Sequence, residues 1–389
     1  MKHSKQQLYS DPIPVDLLIE IFSQLPLKSI DRFRCVSKFW GYILRRPDFT
    51  ELFLTKSSTR PRLLFTIEVD EKLLFYSSPQ PQNPDDNSTL VATPYDTSFP
   101  KYVPFDECST VCGLALLHSY YERQGRVFCN PVTRDFLTLP KLLLKDRSTL
   151  PQVKARSNPD TEVKYEISRI SLGYDPISKQ FKVLCMTSSP CGRLTNHQVL
   201  TLESGKRLWR RIECQFHFTG IRRLSEEICI NGVLYFRAWL GHSCVVVCFD
   251  VRSEKFSFIN IDKDMIGDFR YYLSGELVLF NYKGKLGMRQ KSVFWATNKL
   301  VLWVVDDAGN HKWSNHTYRL PRLSTSKRFA GMTGTGETVW YEDDPKSFFL
   351  DFYNLESKTF TRVNIQGFEE FEHHTIRTFL DHVENLKFI

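Results

Sequence analysis

The chain has 389 residues, 42% of them hydrophobic and 25% charged, with 52 basic against 44 acidic side chains for a net charge of +8. That balance excludes a disordered chain, and the length suits two or three ordinary domains or one large repeat-built unit. No apolar run approaches the length of a membrane span and the polar opening Met1–Ser10 has no signal-peptide core, so the expected setting is the cytoplasm, the nucleus or both.

The first elements are helical. Leu17, Leu18, Ile21 and Leu25 recur at the spacing of one helix face, behind Asp11, Pro12 and Pro14. Pro14 suits a helix start, where the first N–H groups have no partner, and Asp16 suits the positive end of the helix dipole. Pro26 stops this segment. Ser29 is the expected N-cap of a second short helix with an apolar edge of Ile30, Phe33 and Val36. Ser37 is the expected cap of a third, with Trp40, Ile43 and Leu44, ended by Pro47; Asp48–Leu54 adds a further turn. Some forty residues in short helices make a poor core alone, so apolar side chains left over on them point to a protein partner.

The run from Ile13-Pro14-Val15-Asp16-Leu17 through Glu20-Ile21-Phe22 to Leu25-Pro26 resembles the opening of an F-box. Arg34-Cys35-Val36-Ser37-Lys38-Phe39-Trp40 resembles its second half. Ile13 stands where the family usually has Leu, and Ser37 where Cys is common. The resemblance implies binding to a Skp1-like adaptor, and through it to cullin and RING subunits. Carried over by position, Pro14, Leu17, Leu18, Ile21, Leu25, Pro26, Leu27 and Ile30 are the expected Skp1-binding residues. Some of these, and equally Phe33, Val36 and Trp40, would instead hold the helices together.

From Arg62 onward the pattern changes to strands. Arg62–Val69, Lys72–Tyr76, Phe181–Met186, Val233–Phe236, Ser243–Phe249, Glu276–Phe280, Leu300–Val305 and Phe348–Phe352 have strand length and composition, and Asn231-Gly232, Lys283-Gly284 and Gly309-Asn310 mark turns between them. A weak repeat organises this region. A polar turn residue is followed six positions later by an aromatic: Asn130 and Phe136, Asp175 and Phe181, Glu203 and Trp209, Asp250 and Phe256, Asp307 and Trp313, Asn354 and Phe360. Each reads as a β-hairpin whose second strand opens with an aromatic facing inward. The steps of 45 residues from Asn130 to Asp175, and of 47 from Glu203 to Asp250 and from Asp307 to Asn354, are the period of propeller blades. The step of 28 from Asp175 to Glu203 places two hairpins in one blade.

Cys129-Asn130-Pro131-Val132-Thr133-Arg134, Leu172-Gly173-Tyr174-Asp175, Ile230–Phe236, Phe249-Asp250-Val251 and the closing His382–Leu386 are similar, in this order, to phrases of the F-box-associated domain of a large plant F-box family. The expected fold is therefore α+β multidomain. A small N-terminal three-helix F-box over 8–55 is followed by an all-β, kelch-like propeller domain over 60–385, with five to seven blades.

No GxSxG, HExxH, P-loop or GxGxxG motif occurs. The ten cysteines are expected as free thiols, with Cys185, Cys229, Cys244 and Cys248 acting as small hydrophobes; Cys108 with Cys112 has no histidine pair to complete a zinc site. His373-His374 and Asp343-Asp344 read as surface and turn residues, and the short basic groups Arg207–Arg211 and Arg222–Arg223 as solvated surface. Pro79–Ser88 and Lys145–Lys164 read as surface loops. No catalytic, cofactor or metal residues are expected, nor a membrane or nucleic-acid partner. The resemblance implies a non-catalytic, substrate-recognition subunit of an SCF-type (Skp1-cullin-F-box) ubiquitin ligase. The competing expectations are a lectin-like or nucleic-acid-associated propeller, or an enzyme outside ubiquitination.

Overall fold

A computed structural model of the chain describes residues 13–70, 72–85, 88–95, 107–118, 126–142, 166–188, 194–203, 207–219, 227–266, 277–290, 299–320, 327–342, 348–371, 374–387 and 389. Lys145–Lys164, Arg222-Arg223, Asp343-Asp344 and His373 lie outside these. No described helix is long and apolar enough to cross a membrane.

Four helices open the chain: α1 (Val15–Ser23), α2 (Leu27–Arg34), α3 (Lys38–Ile43) and α4 (Pro47–Ser58). Ser37 caps α3 as expected, its hydroxyl accepting the Trp40 N–H at 3.1 Å. Two expectations need correction. Ser29 is not the cap of α2; that helix starts at Leu27, directly behind the extended Pro26, and the Ser29 N–H donates to the Pro26 carbonyl at 2.9 Å inside its first turn. Pro47 does not end α3, which has closed by Leu44; it opens α4 at a position where a missing N–H costs nothing, and α4 runs for 12 residues rather than one turn.

The rest of the described chain forms six antiparallel blades around one axis. Blade 1 holds Arg62–Val69, Lys72–Pro79 and Thr93–Tyr95; blade 2 holds Glu107–Val111, Leu114–His118, Val127–Cys129 and Phe136–Thr138; blade 3 holds Glu166–Asp175, Gln180–Ser188, Leu194–Thr201 and Arg210–Ile212. Blade 4 holds Ile228–Ile230, Val233–Leu240, Ser243–Asp250 and Phe256–Asn260. Blade 5 holds Leu277–Tyr282, Lys285–Gln290, Lys299–Asp307 and Lys312–Arg319, and blade 6 holds Arg328–Met332, Glu337–Tyr341, Phe349–Asn354 and Phe360–Gln366. The first strands of neighbouring blades adjoin one another and line the axis.

The ring closes twice. The last strand, Ile376–His382, is the innermost strand of blade 1, pairing Phe65 with Thr378 and Thr66 with Arg377. Ser88–Val91 leaves blade 1 and adds, in parallel, to the outer edge of blade 6. Both closures join segments far apart in sequence. Gln80 and Asp381 lock the first one reciprocally: the Gln80 amide donates to Asp381 Oδ1 at 2.7 Å and accepts the Asp381 N–H at 2.8 Å.

The apolar faces are buried between blades rather than within them. Phe65 and Phe352 meet between blades 1 and 6, Leu64 and Leu117 between blades 1 and 2, Leu116 and Phe181 between blades 2 and 3. Phe236 and Met186, Val246 and Leu279, and Phe280 and Trp340 do the same around the remaining junctions. Each blade is thus half of two cores, which is why single blades are not independent units.

The hairpin repeat has a backbone counterpart. Four residues after the polar turn residue comes a left-handed one: Arg134, Lys179, Glu254, His311 and Lys358, at φ between 55° and 68°. The turn oxygen of Asn130, Asp175, Asp250, Asp307 or Asn354 accepts the backbone N–H two or three positions on. Asp175 and Glu203 do lie in one blade. The inward aromatic holds for Phe181 and Trp209, which are buried; Phe256, Trp313 and Phe360 are half-buried. Phe136, in the outer strand of blade 2, is exposed instead. Cys185, Cys244 and Cys248 are buried and Cys229 half-buried. Burial pushes the Cys185 and Cys248 thiols up to about 12, which leaves them poor nucleophiles.

Candidate functional site

The N-terminal module is held by a small core of its own. Leu18, Phe22, Leu27, Ile30, Ile43, Leu44, Phe49 and Phe53 are buried, and Phe22, Phe33 and Trp40 form an aromatic triangle with centroids 5.1–5.4 Å apart. Arg60 then binds the end of α1. Its guanidinium donates to the carbonyls of Ser23 at 3.0 Å and Leu25 at 3.2 Å and also to Gln24, satisfying oxygens that a helix end leaves without partners. No local signal announces Arg60, because its partners lie some 35 residues earlier.

The expected adaptor residues divide into two groups. Leu18, Leu27 and Ile30 are in the module's core. Pro14, Leu17, Ile21 and Pro26 are exposed, and Leu25 is half-exposed. Leu17 is 56% and Ile21 49% exposed, one helical turn apart on α1, with Ile13 and Val15 beside them. A second uncovered patch lies on α2–α3, where Val36, Phe39 and Tyr42 are exposed and a groove of about 860 Å3 is lined by Arg34, Lys38, Tyr42 and Arg45. Large apolar side chains exposed together are the unusual observation here, since isolated ones are ordinary on any surface.

The module sits on the propeller face that carries the first-to-second and third-to-fourth strand turns. Val132 and Leu386 enter its core, and the Ser57 hydroxyl accepts the Glu384 N–H at 2.8 Å. The C-terminal segment 383–387 is wedged in this seam. Asn130 Nδ2 donates to the carbonyls of Asn385 at 2.8 Å and Lys387 at 2.9 Å, and Asn385 Nδ2 donates to the Cys112 carbonyl at 2.9 Å. Gly113 makes the close approach possible. It has φ +81°, and a Cβ there would lie 2.2 Å from the Val383 carbonyl oxygen. Burial, then the charge of Glu384, raises the Tyr95 phenol well above its usual value beside the same segment. Asn130 was legible as a turn former; that it also holds the C-terminus was not.

Residues 12–52 match the F-box domain and residues 62–383 match the F-box associated beta propeller domain. The chain belongs to this family of F-box proteins. An Arabidopsis thaliana chain named for its F-box, At1g53370, is 49% identical over 389 residues, spanning 98% of this chain and 94% of that one. The Arabidopsis thaliana F-box protein DOR is 41% identical over 403 residues, spanning 97% and 94%. Among solved structures, TolB from Acinetobacter baumannii superposes over 82% of this chain and 66% of that chain with a TM-score of 0.45 and 9% identity, a likeness too loose to carry an argument. This F-box protein is a plant-type one, and an F-box joined to a propeller supports, in general, the role of an SCF-type substrate adaptor.

Chemistry does not gather elsewhere in the described residues. No group of three or more His, Cys, Asp or Glu there is placed to hold a metal ion. The basic run at Arg207–Arg211 is divided among separate structural tasks: Arg207 donates to the Leu202 carbonyl at 3.0 Å and Arg210 pairs with Glu254.

Proposed function

We propose that this chain is the target-binding subunit of a Skp1-cullin-F-box ubiquitin ligase. Its F-box docks on a Skp1-type adaptor, and its propeller holds a target protein. The chemistry of ubiquitin transfer belongs to the other subunits; this chain contributes proximity, raising the effective concentration of target lysines at the transfer site. The observation that carries the reading is the uncovered apolar stripe of α1, Leu17 and Ile21 with Ile13, on a module that also leaves Val36, Phe39 and Tyr42 exposed. Pro14, Leu17, Ile21, Leu25 and Pro26 make the adaptor contact in this reading, while Leu18, Leu27 and Ile30 shape the helices that present it. The cytoplasm or the nucleus is the proposed place of action.

The test is a pull-down with purified Skp1-type adaptor, comparing the intact chain with Leu17→Glu/Ile21→Glu. Both side chains are exposed, so the fold is expected to survive, while two charges in an apolar contact are expected to weaken binding at least a hundredfold. An intact, folded chain that does not bind the adaptor sinks the proposal.

A further inference from the structure

The turn between the first two helices of the F-box leaves a run of carbonyls that its own sequence does not serve. The Gln24 and Leu25 N–H groups close back onto the Ile21 and Phe22 carbonyls at 3.2 Å each, and the Pro26 carbonyl accepts the Ser29 N–H at 2.9 Å inside α2. Between these two sets lie the carbonyls of Ser23, Gln24 and Leu25, at the negative end of α1. The usual local remedies are missing. The turn 24–26 has no glycine to form a left-handed cap, Pro26 has no N–H to donate, and the last turn of α1 carries no basic side chain. Arg60 supplies what the turn lacks. One terminal nitrogen donates to the Gln24 carbonyl, and the other to Ser23 at 3.0 Å and Leu25 at 3.2 Å.

Arg60 lies beyond residues 12–52, which match the F-box domain, and it is held in place from the propeller. Residues 59–61 join α4 to the blade 1 strand that opens at Arg62. The Arg60 N–H donates to the Ser57 carbonyl at 3.1 Å, and the guanidinium lies 5.7 Å over the Phe53 ring. The Thr59 carbonyl accepts the Gln82 amide at 3.3 Å, and the Pro61 carbonyl accepts the Gln80 N–H at 3.1 Å. Arg62, behind the fixed φ of Pro61, donates to the Ser77 hydroxyl at 3.0 Å and lies 3.6 Å from Glu384. The donor is thus anchored to the propeller while its acceptors belong to the F-box. We propose that Arg60 is a positioning residue for the adaptor contact, holding the Gln24-Leu25-Pro26 turn in the shape that docks. The proposal rests on the adaptor reading above, in which Leu25 and Pro26 belong to the contact, and adds a residue that acts through them. Pro26 is exposed and Leu25 only half-buried, so burial alone holds this turn loosely. A turn set before the partner arrives spares the complex the cost of ordering it.

The test measures binding of purified Skp1-type adaptor to the immobilised full chain and its variants. Arg60→Met keeps a stem over Phe53 and removes every donor; affinity is expected to fall about tenfold. Gln24 is exposed, so water reaches the freed carbonyls and the fold is expected to survive. Arg60→Lys restores a cation with donors and is expected to recover part of the loss. Leu25→Ala acts on the same turn, so the double variant with Arg60→Met is expected to bind more tightly than the product of the two single losses. Leu17→Ala, more than a turn back along α1, is expected to multiply with Arg60→Met. Parent-like affinity in Arg60→Met, no recovery by Arg60→Lys, or full multiplication with Leu25→Ala overturns the proposal. So does loss of hydrogen-exchange protection throughout α1–α4 in Arg60→Met, which would make Arg60 a folding residue. A parent chain that binds no adaptor sinks the adaptor reading and this one with it; a parent that binds no better than Arg60→Met sinks this one alone.

Discussion

The F-box and the propeller solve the problem of burying apolar surface in opposite ways. The propeller closes on itself, each blade sharing its two faces with its neighbours, so the large side chains on those faces are buried within the chain, while Phe136, Ile177 and Leu208 stay exposed singly. The F-box, with four short helices, can bury one side of each. Its core borrows Val132 and Leu386 from the propeller, and Leu17, Ile21, Val36 and Tyr42 still remain outside. A closed ring needs nothing more; an open helical module leaves a surface for something else to cover. The seam between them, built on the C-terminal segment, fixes one relative to the other.

The largest expected effect breaks that seam. Gly113→Val places a branched side chain at φ +81°, with its Cβ 2.2 Å from the Val383 carbonyl oxygen, against backbone that has no room to give. A loss above about 4 kcal/mol is expected, of the size that only a clash or a lost core produces. Denaturant unfolding checks it; a midpoint close to the parent's would show that the C-terminal wedge is dispensable.

Acid sharpens the comparison, because the F-box module at 13–58 contains no histidine. The propeller holds three with depressed values, His118 and His382 buried and His197 half-buried. Burial first, then nearby cations, hold His118 and His382 at about 3, and burial then His217 holds His197 at about 4. Each binds a proton in the unfolded chain from near pH 6.5 downward but not in the folded one. Stability from these groups is therefore fully present above pH 6.5 and is lost as pH falls toward 4 and 3, at about 1.4 kcal/mol per group per pH unit. Hydrogen exchange at pH 7 and pH 5 is expected to show protection falling in the blades around these residues before it falls in α1–α4. Uniform loss in both regions would contradict this.

The smallest effect is confined to the other side of the comparison. Ser37→Ala removes the hydroxyl that accepts the Trp40 N–H, at an expected cost of about 1 kcal/mol. Faster exchange in α3 alone, with the blades unchanged, is the expected readout; an effect spread through the propeller would mean the two regions unfold as one.

The residues themselves determined what depends on neighbours in sequence. The α1 stripe, the Ser37 cap and the turn oxygens of Asn130, Asp175 and Asn354 act over two to four positions, so composition and spacing suffice to place them. Helix starts were less legible: Pro26 and Pro47 fit both an end and a beginning, and only the packed helices show which. The period of the hairpins left five to seven blades open. Six followed from closure, when Ile376–His382 returned to Arg62–Val69 and Ser88–Val91 crossed to blade 6. The Arg60 clamp and the hold of Asn130 on the C-terminus were likewise decided by tertiary structure. Each joins residues far apart in sequence that share no local pattern, and only packing of the helices and closure of the ring bring them to the same place.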